Sequence, residues 1–223
     1  AYGPRLAGAP NYKKSAEWAV KTLQEWGLTN VHMESWKFGR SWENKKFSAN
    51  LIEPSYAPIY GFALAWAKST DGVVAGEPVY APVRSEEDFA KYTGKLKGKI
   101  VFTEPMRAQE LQEKGFSTRY STEDLERLEQ APEPGSSGFM SGPVRAGQPD
   151  DPAARRAAMM AARAFRQKAI KFYIDEGAAV LVSFGSRNDG GTITADRGGP
   201  YDPDQPLPPA MISLARVVFQ SAA

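Results

Sequence analysis

The 223-residue sequence predicts an α+β fold with two structural units. Three observations carry this expectation: a helical period near the amino terminus, short apolar runs broken by Gly and Pro in the middle, and a long helix feeding a continuous apolar strand in the last third. No internal repeat runs through the chain.

Residues 1–10 form a Gly- and Pro-punctuated lead-in. The first helix is expected from Asn11 to Trp26, because Tyr12, Ala16, Ala19, Val20, Leu23 and Trp26 share one face and Gly27 stands at the position that ends helices. Residues 31–38 and 47–53 are rich in β-branched and aromatic residues and read as strands, the second ended by Pro54. From Tyr56 to Val83, the apolar runs 59–66, 72–75 and 77–83 have all-β texture. Ser85 and Asp88 make a capping-box-like start for a short helix reaching Tyr92, and a basic turn, Gly94 to Lys99, delivers a strand at 100–103. A second short helix, Thr122 to Gln130, is capped by Ser121.

Residues 132–149 hold Pro, Gly and Ser at a density expected of a linker or mobile loop. Asp151-Pro152 opens the longest helix, with Pro in its first turn and Gly177 just past its end. Its expected buried stripe is Ala158, Ala162, Phe165, Ala169 and Phe172. Ala178 to Phe184 reads as a buried strand. Asn188-Asp-Gly-Gly191 is a turn signal between strands 180–184 and 192–195. A Pro-rich loop at 200–209 precedes a last strand, Ala210 to Leu214, and 215–223 reads as the first turns of a helix.

Composition excludes more chemistry than it suggests. One histidine and no cysteine rule out a thiolate–imidazole zinc site, an iron–sulfur cluster, a disulfide framework and a cysteine nucleophile. A Ser-His-Asp triad could form only around His32, and no Gly-x-Ser-x-Gly elbow accompanies it. Lys+Arg 28 against Asp+Glu 26 gives a net charge of +2, which points to no nucleic-acid partner. No stretch is long and apolar enough for a membrane span. The chain begins at Ala1 without an initiator Met, as expected of a processed or engineered end.

Each cluster with chemical promise has a plainer reading. His32 and Glu34 lie two apart on one face of an expected strand, but a zinc site needs three or four ligands. Asp202 and Asp204 flank Pro203, yet the alternating oxygen ligands of a calcium loop do not continue. Arg155, Arg156, Arg163 and Arg166 cluster on one side of the long helix without an aromatic stacking face, as on a solvated helix surface. Gly94, Gly98 and Lys99 resemble half a phosphate loop but precede a strand instead of opening a helix. Glu86 and Glu87 sit where a helix dipole favours acids. The residues alone therefore identify no catalytic, cofactor-binding or metal-binding position.

Several segments in order resemble the front half of a family of exported zinc exopeptidases, the aminopeptidase and carboxypeptidase Q group, in the clan of glutamate carboxypeptidase and the transferrin receptor. They are Gly3 to Asn11, Ala16 to Ala19, Leu23 to Trp36, Ala65-Trp66 with Ser69-Thr70, Lys91 to Val101, Glu176 to Val182, Asp189 to Thr192, and Pro208-Pro209. The resemblance implies that residues 1–50 form the amino-terminal edge of a peptidase domain. It also implies that 51–215 form an inserted protease-associated domain, β-barrel-like with flanking helices, with 132–149 as its variable loop. Residues 216–223 would start a truncated connecting helix.

The same resemblance implies a parent with two zinc ions, held by His, Asp and Glu ligands that begin with a His-x-Asp motif, and a Glu as general base. This chain has none of those motifs, so no catalytic or metal residue is carried over, and zinc is expected only in the parent. The implied role is a non-catalytic lid that limits access to a peptide substrate or supports a homodimer, in a secreted or periplasmic enzyme. Its implied partner is its own missing peptidase domain, and the chain alone is expected to be a fragment without activity. Two other readings remain open: a free-standing protein- or peptide-binding module, and a receptor-like homologue that has lost its ligands.

Overall fold

The computed structural model describes residue 3 and residues 5–104, 119–130, 151–184 and 198–214. The linker expected at 132–149, the turn at 188–191, the strand at 192–195 and the helix beyond 215 lie outside the described residues. The chain divides into two compact units, residues 1–109 with 170–223, and residues 110–169.

In the first unit, α1 spans Pro10–Glu25, one residue earlier than its apolar period suggested, because Pro10 takes the first helical turn. Its end is a Schellman motif: Gly27 N–H donates to the Gln24 carbonyl and Leu28 N–H to the Leu23 carbonyl, with Gly27 at φ +86°. The face expected to be buried is only partly covered. No α1 residue is fully buried, and Trp26 is 72% exposed.

β1 (Asn50–Leu51) pairs antiparallel with β2 (Ala57–Pro58) as a small separate ribbon. β3 (Gly61–Ala63), β4 (Val79–Tyr80), β5 (Ile100–Phe102), β6 (Val180–Phe184) and β7 (Ala210–Leu214) form a five-stranded sheet in the order β3-β7-β6-β5-β4. β4 to β7 run parallel to their neighbours, and β3 is antiparallel to β7. The fold is thus α+β with a mixed sheet. Among the described residues the sheet has two edges, β3 and β4, and does not close into a barrel.

The expected strand at 31–38 does not form. Its β-branched and aromatic residues favour an extended backbone, but a strand also needs a ladder partner, and no strand lies beside it among the described residues. Residues 72–75 likewise remain irregular.

The core lies around the three central strands. Val180, Val182 and Leu214 are buried together, with Ile100, Phe102, Ile212 and Phe184 packed on them. The opposite strand faces carry Val101, Leu181 and Ser213, also buried, so the centre of the sheet is covered on both sides, as parallel strands require. α2 (Glu87–Tyr92) meets the carboxy-terminal turns of α4 (Pro152–Asp175): Phe89 lies 4.9 Å from Phe172 between ring centroids. Tyr173, on the next position, donates its hydroxyl to the Ala81 carbonyl at 2.6 Å. Gly177 then ends α4 with a second Schellman motif.

The second unit contains α3 (Thr122–Glu129) and most of α4. Ser121 and Asp124 exchange backbone and side-chain bonds of 3.1 and 3.2 Å, a complete capping box. Asp151 accepts from the Ala153 and Ala154 N–H groups at the start of α4. Ala158 and Ala162 of the expected buried stripe are exposed, and the stripe becomes half-buried only from Phe165 onward.

Candidate functional site

The structure assembles a surface site that no single sequence segment announces. The irregular stretch 34–40 crosses the start of α1 and the loop 198–209, leaving a cleft of about 490 Å³ lined by Tyr12, Glu34, Trp36, Phe38, Arg40 and Pro203, among others. Phe38 stacks on Tyr201 with ring centroids 4.8 Å apart and planes 18° apart, while Trp36 meets Phe38 edge-on at 5.5 Å. Trp66 closes the group, 5.9 Å from Tyr201. Such offset and edge-to-face arrangements are the favourable geometries for aromatic rings.

Arg40 is the pin that holds this arrangement. Its guanidinium donates to the Gln205 carbonyl at 2.9 Å and the Pro203 carbonyl at 2.5 Å, and its backbone N–H donates to the Tyr201 carbonyl at 2.8 Å. Its own carbonyl accepts the Trp66 indole N–H at 2.9 Å. Gly39 beside it has φ +137°, and a Cβ there would stand 2.5 Å from the Tyr201 oxygen, so only glycine fits. Trp66 itself lies in the left-handed region at φ +56°, a conformation costing a bulky residue about 1–3 kcal/mol and held by the ring contacts and the indole bond.

Replacing Arg40 with alanine removes two charge-assisted donors and leaves the Pro203 and Gln205 carbonyls to solvent. The expected loss is about 1–3 kcal/mol in urea unfolding. A red shift of tryptophan emission, as Trp66 loses its place, should accompany it.

The residues weighed from sequence fall elsewhere or do ordinary work. His32 Nδ1 lies 2.8 Å from the Asn30 carbonyl oxygen, so that nitrogen carries the proton, and Nε2 lies 3.4 Å from Glu34 Oε1. Both side chains are exposed. Among the described residues no group of three His, Cys, Asp or Glu side chains is placed to hold a metal ion, so the pair gains no third ligand there. Asp202 accepts from the Asp204 N–H and the Gln205 amide, the pattern of a side-chain-supported turn. In the glycine-rich turn, the Gly94 N–H donates to the Glu176 carboxylate at 2.5 Å, so the chain's own acid occupies the place of an anion.

Asp88, next to Glu87 in the first turn of α2, reaches back to the segment before the helix. A hydrogen bond from Lys91, then bonds from the Arg84 and Ser85 N–H groups, hold its carboxyl well below the usual carboxylate range. Arg155, Arg156 and Arg163 belong to the second unit.

The cleft presents aromatic surface, with Glu34 and Lys37 among its lining residues. Sequence reading missed it because its aromatic residues come from positions 36–38, 66 and 201. The available hint was Gly39 between Phe38 and Arg40, with Gly198-Gly199 ahead of Tyr201.

Two curated proteins are similar to this chain. Mouse carboxypeptidase Q is 31% identical over 111 residues, covering 48% of this chain and 23% of the mouse protein. Human carboxypeptidase Q is 31% identical over 101 residues, covering 44% of this chain and 21% of the human protein. The chain thus spans less than a quarter of the length of these relatives, and over about half its own length it is related to their peptidase family. No protein-family model matches the sequence, and no solved structure matches it.

Proposed function

We propose that this chain is the amino-terminal segment and protease-associated domain of a secreted or periplasmic zinc exopeptidase, serving as a non-catalytic lid over a peptide-cleaving site. The observation that carries this reading is the 31% identity to mouse carboxypeptidase Q over 111 residues. Residues 1–50 would be the edge of the peptidase domain, 51–215 the inserted, barrel-like domain, and 216–223 the start of the connection back.

The surface of α1 and the stretch after it supports the reading. Trp18, Trp26, Leu28, Met33 and Trp36 are each half or more exposed, large apolar side chains close together in the sequence. A peptidase domain beside this segment would bury some of them. Among the described residues no group of three His, Cys, Asp or Glu side chains is placed to hold a metal ion, so no step of metal-assisted hydrolysis is assigned to this chain.

The test compares the 223-residue chain with the product of a longer reading frame, if one continues past Ala223. The longer product should release terminal amino acids from short peptides, lose that activity to a chelator and regain it with zinc. The shorter chain should do neither. Tight stoichiometric zinc binding with hydrolysis by this chain alone would overturn the proposal, and a frame that stops at Ala223 would favour a free-standing binding module.

A further inference from the structure

Between β3 and β4 the chain carries an Asp-Gly pair, Asp71-Gly72, that neither the aromatic cleft nor the peptidase reading uses. Both residues are exposed, and Val73 after them is 95% exposed, so the pair stands at a loop tip. The Lys68 N–H donates to the Pro208 carbonyl at 3.0 Å, but residues 69–76 make no backbone hydrogen bond among the described residues. The Asp71 carboxylate likewise has no hydrogen bond or ion pair there. Gly72 has φ +74°, and a Cβ placed on it would meet nothing within 4 Å. An acid and an amide nitrogen without a hindering side chain are thus adjacent, with open space around them.

We propose that Asp71 is a site of spontaneous isoaspartate formation. The Gly72 amide nitrogen attacks Cγ of Asp71. The N–Cγ bond forms, the Cγ–OH bond breaks, and water leaves with that hydroxyl and the amide proton. The product is a succinimide, and nothing is oxidised or reduced. Water then adds to one of the ring's carbonyls. Opening at Cγ restores aspartate, whereas opening at the main-chain carbonyl leaves the chain running through Cβ as isoaspartate.

The other described aspartates lack this combination. Asp88 and Asp175 lie inside helices, bonded to Lys91 and Lys171. Asp124 accepts the Ser121 N–H at the start of α3. Asp151 and Asp202 precede proline, which has no N–H to react. Asp204 precedes Gln205, whose N–H donates to the Asp202 carbonyl at 3.3 Å. The flanks of the Asp71 segment are held on the sheet: the Leu64 N–H donates to the Met211 carbonyl at 2.8 Å and the Ala81 N–H to the Phe102 carbonyl at 3.0 Å. An extra backbone carbon at position 71 therefore leaves the strands where they are. The inference does not rest on the peptidase reading.

The test ages the folded 223-residue chain at about pH 5, where ordinary carboxyl groups keep a protonated fraction. Trypsin then releases residues 69–84 as one peptide, and Asp189-Gly190 leaves separately within residues 188–197. A second peak of unchanged mass should grow in chromatography of the 69–84 peptide. An endoprotease that cuts before aspartate should cleave the original peak and spare the new one. The peak should grow within about threefold of the rate seen in a synthetic 69–84 peptide, since segments at the low end of local stability open almost freely. Asp71→Glu changes only an exposed side chain, so circular dichroism should match the wild type. That variant should give no second peak, because glutamate would have to close a larger and slower-forming ring. A 69–84 peptide from the folded wild type that stays unchanged would overturn the proposal. So would a second peak that the aspartate-specific protease still cleaves, or the same peak from Asp71→Glu.

Discussion

Gly199→Val is expected to destabilise the first unit by about 3 kcal/mol or more, through overpacking that cannot relax. A Cβ at this position would overlap the Trp66 carbonyl oxygen and stand 2.8 and 2.9 Å from two carbons of the Pro208 ring. None of the three neighbours can move away cheaply. The Gly199 N–H donates to the Ala65 carbonyl at 2.9 Å, and the Lys68 N–H to the Pro208 carbonyl at 3.0 Å, so the two segments are stitched together on either side of the contact. Glycine is required here for space, whereas at Gly39 it is required for both space and backbone angle. Because the 198–209 loop carries Tyr201, Pro203 and Gln205, displacing it should also release Arg40 and Phe38 and dissolve the aromatic cleft. Urea unfolding reads the stability loss, and tryptophan emission reads the change around Trp66. A variant with the wild-type midpoint and emission would show that the loop does not build the cleft.

The parts of the fold legible in the sequence are those decided by neighbours in the chain. The Gly27 and Gly177 helix ends, the Asp151-Pro152 start and the Ser121 cap all appeared where local hydrogen bonding and backbone angles place them. The strands at 100–102, 180–184 and 210–214 followed from continuous apolar runs. What stayed hidden was pairing. Nothing local says that β7 inserts between β3 and β6, since that order sets Phe62 opposite Ser213, far away in the chain. The strand expected at 31–38 failed for the same reason: propensity favours an extended backbone but supplies no partner. Ala158 and Ala162 misled in another way. Alanine is favoured in any helix, so its spacing marks a helix and not necessarily a buried face. The aromatic cleft was illegible because the loop that brings Tyr201 to Phe38 is placed by Gly199, a contact invisible to periodicity.

Tyr173 ties α4 to the sheet, and its loss should rank with that of Gly199. The side chain is 4% exposed, its ring meets Phe172 at 5.7 Å, and its hydroxyl donates to the Ala81 carbonyl at 2.6 Å, just beyond strand β4. Tyr173→Ala removes the ring and leaves a cavity, for an expected cost of about 3–5 kcal/mol. Tyr173→Phe keeps the ring but strands a buried carbonyl acceptor, for about 1–3 kcal/mol. The phenol also gives an independent readout. Burial pushes it above its ordinary 10.0, because the ionised form would be left without water. The folded state therefore prefers the protonated phenol more than the unfolded chain does. That contribution is complete below about pH 10 and is lost as pH rises toward the folded value. In ultraviolet titration of the chain's nine tyrosines, one should ionise only as the protein unfolds, and Tyr173→Phe should remove that late step. If all the wild-type phenols titrate together while the fold persists, Tyr173 is not the buried anchor between α4 and the sheet.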